Sequence, residues 1–113
     1  MSGNTEVARV EDWEPLIDTP MHPEYPCAHC ITSAAVATVL EAEFGTGGQP
    51  LVMTSPLAPG VERKWTTFKE YTDEVSAARI YGGIHYRNST LVGQSMGRKV
   101  GELVALKYLK PVQ

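Results

Sequence analysis

The stretch PCAHCITSAAVATVLEAEF, Pro26 to Phe44, decides the fold. Ala34, Ala35, Ala37 and Ala42 are strong helix formers, and no glycine or proline follows Pro26 within the run. Proline is tolerated in the first turn of a helix and glycine is a common stop, so Pro26 and Gly45 bracket a helix over 27–44. The only charges, Glu41 and Glu43, come near its end. A small-sided helix with so little polar surface belongs at the centre of a helical protein, not on its rim.

Working outward, Pro15, Pro20, Pro23 and Pro26 each remove a backbone donor and push the preceding residue out of helical geometry. Residues 1–26 therefore read as an irregular N-terminal arm, with apolar anchors at Trp13, Leu16 and Ile17. Beyond the helix, Thr46–Gly47–Gly48 reads as a loop. Leu51–Met53 and Val61–Arg63 read as short strands around a turn at Pro56 to Gly60. Thr67 followed three residues later by Glu70 is a capping box for a second helix to Tyr81, with Tyr71, Val75 and Ala78 on one stripe. Gly82–Gly83 ends it, because two glycines inside a helix cost roughly 2 kcal/mol. Asn88, Ser89 or Thr90 is placed to cap a third helix reaching about Leu109, before Pro111. Its apolar stripe is Val92, Met96, Val100, Leu103 and Val104. Gly93, Gly97 and Gly101 lie on one face and give up helix propensity, which points to a neighbour pressing closely on that side. Tight helix packing explains them more simply than a cofactor does. The fold class is all-α, with three main helices in a helical part spanning 27–109 of a single domain, 1–113.

A chain of 113 residues is near the size of one domain. Its net charge of −3 argues against a general nucleic-acid or anionic-membrane binder. The charge is uneven: residues 1–24 hold six acids and one base, residues 79–113 one acid and six bases. A small anion is therefore a more plausible partner than a polyanion. Cys27 and Cys30 are too few for a disulfide framework, and nothing suggests an oxidising compartment. The N-terminus shows no basic region leading into an apolar run, and Ile31–Leu40 is far short of the ~20 residues that cross a bilayer. The expectation is a soluble, cytoplasmic protein.

Two points carry the candidate chemistry. Pro26–Cys27–Ala28–His29 opens the first helix, where free N–H groups and the helix dipole favour an anion. Arg79 and His85 flank Gly82–Gly83, which lets the backbone turn and bring His85 back toward Arg79. Together they make sense as a site for a tetrahedral oxyanion: Arg79 on its oxygens, one imidazole on the central atom, the other moving a proton. The plain alternatives are a His29 bonded locally and an Arg79 paired with Glu74 or another surface acid. Cys27 and Cys30 also read as a redox pair or, with His22 and His85, as zinc ligands. Neither has its usual sequence context, and a buried cysteine acting as a small hydrophobe is simpler.

With these motifs in order, the chain resembles the vanadium-dependent haloperoxidases and their relatives, the type 2 phosphatidic-acid phosphatases and bacterial acid phosphatases. That superfamily carries Lys-x6-Arg-Pro, then Pro-Ser-Gly-His, then Ser-Arg-x5-His-x3-Asp. Pro26–Cys27–Ala28–His29 is similar to the second and Ala78–Arg79 through His85 to the third, with Ser89 at the aspartate position. Residues 19–26 and 80–87 resemble the soluble haloperoxidase-like branch, and the likeness runs from about Trp13 to Leu109. No Lys-x6-Arg-Pro occurs upstream, so the chain resembles the C-terminal half of a larger bundle.

The resemblance implies a partial helical bundle holding vanadate or phosphate. Cys27, Ala28, His29, Arg79 and His85 would surround the anion, with His29, His85 and Arg79 catalytic. In the haloperoxidase reading His85 ligates vanadium, Arg79 and the Ala28 N–H hold its oxygens, and His29 is the acid/base, with hydrogen peroxide and halide as partners. In the phosphatase reading His85 attacks phosphorus and His29 protonates the leaving group. Cys27 stands where the family has a serine donor, and a thiol donates more weakly. Ser89 stands where the phosphatases have the aspartate that orients their nucleophilic histidine, a loss that tells more against hydrolysis than against vanadate binding. A third reading is a non-catalytic helical protein with a vestigial anion site. The apolar surface left over implies a homodimer or a complementary half.

Overall fold

In the computed structural model, residues 4–46 and 50–110 are described. The Thr46–Gly48 loop and Pro111 thus lie partly or wholly outside them. Three helices dominate: α1 (Ala28–Phe44), α2 (Phe68–Tyr81) and α3 (Arg87–Lys107), with a hairpin of β1 (Leu51–Ser55) and β2 (Ala58–Trp65) between the first two. This is the all-α, three-helix architecture that the sequence predicts. The hairpin strands are longer than the sequence suggests; they pair antiparallel from Leu51 opposite Trp65, with an irregularity at Thr54/Ser55.

The local signals act as their chemistry requires. Gly45 closes α1 with φ 79°, its N–H bonded to the carbonyl of Glu41. Thr67 and Glu70 form the full capping box: Glu70 N–H donates to Thr67 Oγ1 (3.1 Å) and Thr67 N–H to Glu70 Oε2 (3.3 Å). The start of α3 differs from expectation. Its N-cap is Tyr86, with no side-chain cap bond. The hydroxyls of Ser89 and Thr90 bond instead to the carbonyls of Glu24 and Arg87.

The core is the contact of α1 with α3, and glycine makes it. A Cβ at Gly93 would sit 2.7 Å from the Cys27 carbonyl oxygen, and one at Gly101 2.7 Å from that of Ala35. At Gly97 it would run into the carbonyl of Ile31 and lie 2.8 Å from Ala34 Cβ. The two backbones thus approach as closely as sterics allow. Among the described residues the buried apolar side chains are Cys27, Cys30, Ala34, Ala37, Trp65 and Ile84. Gln94 ties α3 to α2, its Nε2 donating to Ser76 Oγ (2.7 Å) and the Thr72 carbonyl (3.1 Å). The hairpin docks on α2 through Glu74, which accepts from Arg63 Nε (2.7 Å) and Trp65 Nε1 (2.8 Å).

The N-terminal arm packs on the glycine turn after α2. Leu16 N–H donates to the Gly82 carbonyl (3.1 Å), and Ile17 lies against Gly82. Gly83 has φ 76°, and a Cβ there would lie 2.9 Å from the Trp13 ring, so both the backbone and the space require glycine. This turn delivers the chain from α2 to His85. Among the described residues no helix is long and apolar enough to cross a membrane.

Candidate functional site

Each element meeting here has a local reason to do so. Cys27 caps α1, so Ala28 and His29 stand in its first turn, where N–H groups have no acceptor within the helix. The tight turn at Gly82–Gly83 folds the chain back, and the N–H groups of Ile84 and His85 both donate to the Arg79 carbonyl (3.1 and 3.3 Å). The His85 main chain is thereby held at the Arg79 carbonyl. The arm lays His22 between His29 and His85. The His22 ring stacks on His85 at 5.7 Å between centroids and 14° between planes, and lies 6.2 Å from His29.

The three histidines differ in environment. His29 is exposed, while the His85 side chain is fully buried. Partial desolvation lowers the pKa of His29, and the Arg79 guanidinium, His22 and His85 add to the effect. His85 Nδ1 lies 2.6 Å from the Glu24 carbonyl oxygen, which can only accept, so Nδ1 carries a proton, and in the neutral ring the lone pair is on Nε2. His22 Nδ1 likewise meets the Pro23 carbonyl at 3.1 Å. Three atoms are left over: His22 Nε2, His85 Nε2 and Arg79 Nε are buried without a partner, the imidazole nitrogens acceptors in the neutral Nδ1–H form and the guanidinium nitrogen a donor. Burial lowers the Arg79 pKa, yet a guanidinium remains charged at neutral pH. A cleft of about 430 Å³ opens between α1 and α2 beside His22 and His29, lined also by Ala28, Thr32, Val36 and Tyr71; Arg79 and His85 do not line it.

The alternatives raised by the sequence fare differently. Arg79 does not pair with Glu74, which is held by Arg63 and Trp65. Among the described residues no three His, Cys, Asp or Glu side chains converge to hold a metal ion, so the zinc reading has no support. The cysteines correct both the free-thiol expectation and the donor role given to Cys27. Cys27 and Cys30 form a disulfide, both fully buried against Gly93, and a disulfide sulfur has no hydrogen to donate. Its sulfur instead accepts the Cys30 N–H at 3.2 Å.

Sequence reasoning raised His22 only as a zinc ligand, not as a member of the oxyanion site, and gave Glu24 no role. Both lie in the proline-rich arm, where no periodicity says which way a side chain faces. The one available signal was a histidine seven residues before His29.

Comparison with known proteins gives the family and the fold. The model for the VCPO second helical-bundle domain matches residues 1–113. A bacterial vanadium-dependent iodoperoxidase of known structure is 36% identical, with a TM-score of 0.76 over 84% of this chain and 23% of its own. Bacterial vanadium-dependent chloroperoxidases in holo and apo forms, both 19% identical, share the fold, with TM-scores of 0.71 and 0.70. No match is found among curated proteins. The chain spans about a quarter of the length of these solved relatives. On the family match over its whole length, it belongs to the second helical-bundle domain family of the vanadium haloperoxidases.

Proposed function

We propose that the histidine cluster at the start of α1 is an oxyanion half-site of the haloperoxidase type. The observation that carries this reading is His85 Nε2: buried and unpartnered, with Nδ1–H held by the Glu24 carbonyl, so that the neutral ring has its lone pair on Nε2. A neutral imidazole fixed in that tautomer is suited to ligate a central atom. The buried, unpartnered Arg79 Nε–H and the N–H groups opening α1 supply the complementary donors. A neutral imidazole, a guanidinium and helix N–H groups are the donor set that vanadate would need; His85 would hold the vanadium, and Arg79 and the Ala28 N–H its oxygens. Vanadate, once held, supplies the oxidation of halide by hydrogen peroxide. His29, exposed and kept below the ordinary imidazole pKa, is neutral near pH 7 and can take up and return a proton at a bound oxygen. A phosphomonoester is the alternative occupant: His85 Nε2 would attack phosphorus as the P–O bond to the alcohol breaks, His29 would protonate that leaving alcohol, and water would then cleave the phosphohistidine to release phosphate.

The half-site is incomplete. Among the described residues Arg79 is the one cation of this cluster, and the Cys27 sulfur donates nothing. Each missing charge-assisted hydrogen bond is worth roughly 1.5–3 kcal/mol, so two of them weaken binding by about 10²–10⁴-fold. A complementary helical half or a second copy of the chain would supply the missing cations. The loss of the Cys27 donor also favours a second reading, a weak anion pocket without turnover.

Calorimetric titration with orthovanadate, alongside bromide-plus-peroxide and p-nitrophenyl phosphate assays, tests both. We expect binding no tighter than about millimolar, abolished in His85→Ala, and little turnover. Binding that survives His85→Ala unchanged removes the oxyanion reading. Turnover that depends on His85 removes the non-catalytic one.

A further inference from the structure

The two ends of the chain carry opposite charge, and neither neutralises the other. Residues 4–18 of the arm hold Glu6, Glu11, Asp12, Glu14 and Asp18 against Arg9. Residues 87–110, α3 and its exit, hold Arg87, Arg98, Lys99, Lys107 and Lys110 against Glu102. All of these side chains are exposed, and among the described residues none of them joins an ion pair; the pairs that form lie between Glu24 and His85 in the chain. Charge and apolar surface also coincide. On α3, Met96, Lys99, Leu103 and Lys107 follow at three- and four-residue spacing and so share a face, apart from the glycines that meet α1. Met96 and Leu103 are 43% and 47% exposed there, and on the arm Val7, Val10 and Leu16 stand exposed among the acids.

We propose that the outer face of α3 seats the N-terminal arm of a second copy of this chain, in a twofold pair that exchanges arms. Within one copy the two do not meet. The Leu16 N–H and the Trp13 ring pin the arm at Gly82–Gly83, before α3 begins. Lys99 and Lys107 lie about 18 and 30 Å further along the helix axis from Arg87. One chain carries both halves of the match in equal number, five acids on the arm and five bases on α3. In a twofold pair each arm meets its partner's α3, so both contacts form at once. A polyanion or an anionic membrane would attract the basic segment but be repelled by the acidic arm, whereas a second copy satisfies both. Apolar contact supplies the burial, and the charges set which face meets which.

The experiment is sedimentation equilibrium of the whole chain and two charge-reversed variants. The wild-type dimer should dissociate at least about tenfold more readily in about 0.5 M than in about 0.05 M sodium chloride, because salt screens exposed charges. Glu11→Lys with Asp12→Lys reverses the arm, and Lys99→Glu with Lys107→Glu reverses the α3 face. Either double variant alone sets like charges opposite each other and should weaken association at least about a hundredfold. An equimolar mixture of the two should regain wild-type association, since each arm then meets an α3 of opposite sign. That recovery also shows that both variants fold. A wild type that stays monomeric overturns the proposal, as does association that ignores salt, survives either reversal or fails to return in the mixture. A low-salt compaction that does not depend on concentration assigns the arm to its own α3 and overturns it too.

Discussion

The two sides of α3 are built on opposite principles. Toward α1 it presents Gly93, Gly97 and Gly101, and the contact closes until carbonyls of one helix touch the backbone of the other. On its other faces Leu91, Met96, Val100 and Leu103 stand exposed, as does Val36 on α1. The side poorest in apolar bulk is the one that is packed, and the side richest in it is uncovered. Burial here follows from backbone approach and dispersion over a close seam, not from the size of the side chains. The large residues await cover that three helices do not provide.

The largest expected effect breaks the seam. Gly97→Ala adds helix propensity worth about 1 kcal/mol, yet its methyl runs into the Ile31 carbonyl, a backbone atom that cannot turn aside. We expect a net loss of about 3 kcal/mol by urea unfolding. A neutral or stabilised variant would mean that the helices do not meet this closely.

A smaller effect belongs to the tie between α2 and α3. Gln94→Ala removes the hydrogen bonds to Ser76 and the Thr72 carbonyl and should cost about 1–2 kcal/mol in the same assay. Unchanged stability would show that α2 needs no polar link to the α1–α3 seam.

At the rim, Thr67→Ala should cost about 1 kcal/mol through the lost cap. Its partner Glu70 makes the region sensitive to acid. The Thr66 hydroxyl first, then the Thr66 and Thr67 N–H groups, hold the Glu70 carboxyl below its ordinary pKa. A carboxylate with a lowered folded pKa stabilises above its unfolded value, about 4.3, and that contribution is lost as pH falls through the folded value. Glu70→Gln should flatten this part of the acid-unfolding curve. An acid limb identical to wild type would assign it to other carboxylates.

The smallest effect on stability should come from the uncovered side. Leu91→Gln and Val100→Lys should change unfolding by no more than about 0.5 kcal/mol. They should, however, shift sedimentation toward monomer, because the wild-type chain is expected to self-associate over more than about 1,000 Å². A wild type that sediments as a monomer at all concentrations would overturn that expectation and leave the outer face without a function in association.

Composition and local spacing alone determined the helices of residues 27–44 and 68–81, the Gly45 stop, the Thr67–Glu70 box and the close approach at the glycine face. Each of these is settled by residues a few positions apart. Motif spacing singled out His29, Arg79 and His85 as candidates, and the Gly82–Gly83 turn that returns the His85 main chain to the Arg79 carbonyl is itself local. The disulfide was open on sequence grounds, because a cysteine pair three residues apart can bond, bind metal or stay reduced. Tertiary contact decided the rest. The start of α3 moved to Arg87 because the Ser89 hydroxyl, a fitting cap in isolation, bonds to Glu24 instead. His22 joined the cluster, and Glu24 gripped His85, through contacts some sixty residues apart in the chain. An irregular arm has no period from which such partners can be read; its side chains face where the helices leave them donors and space.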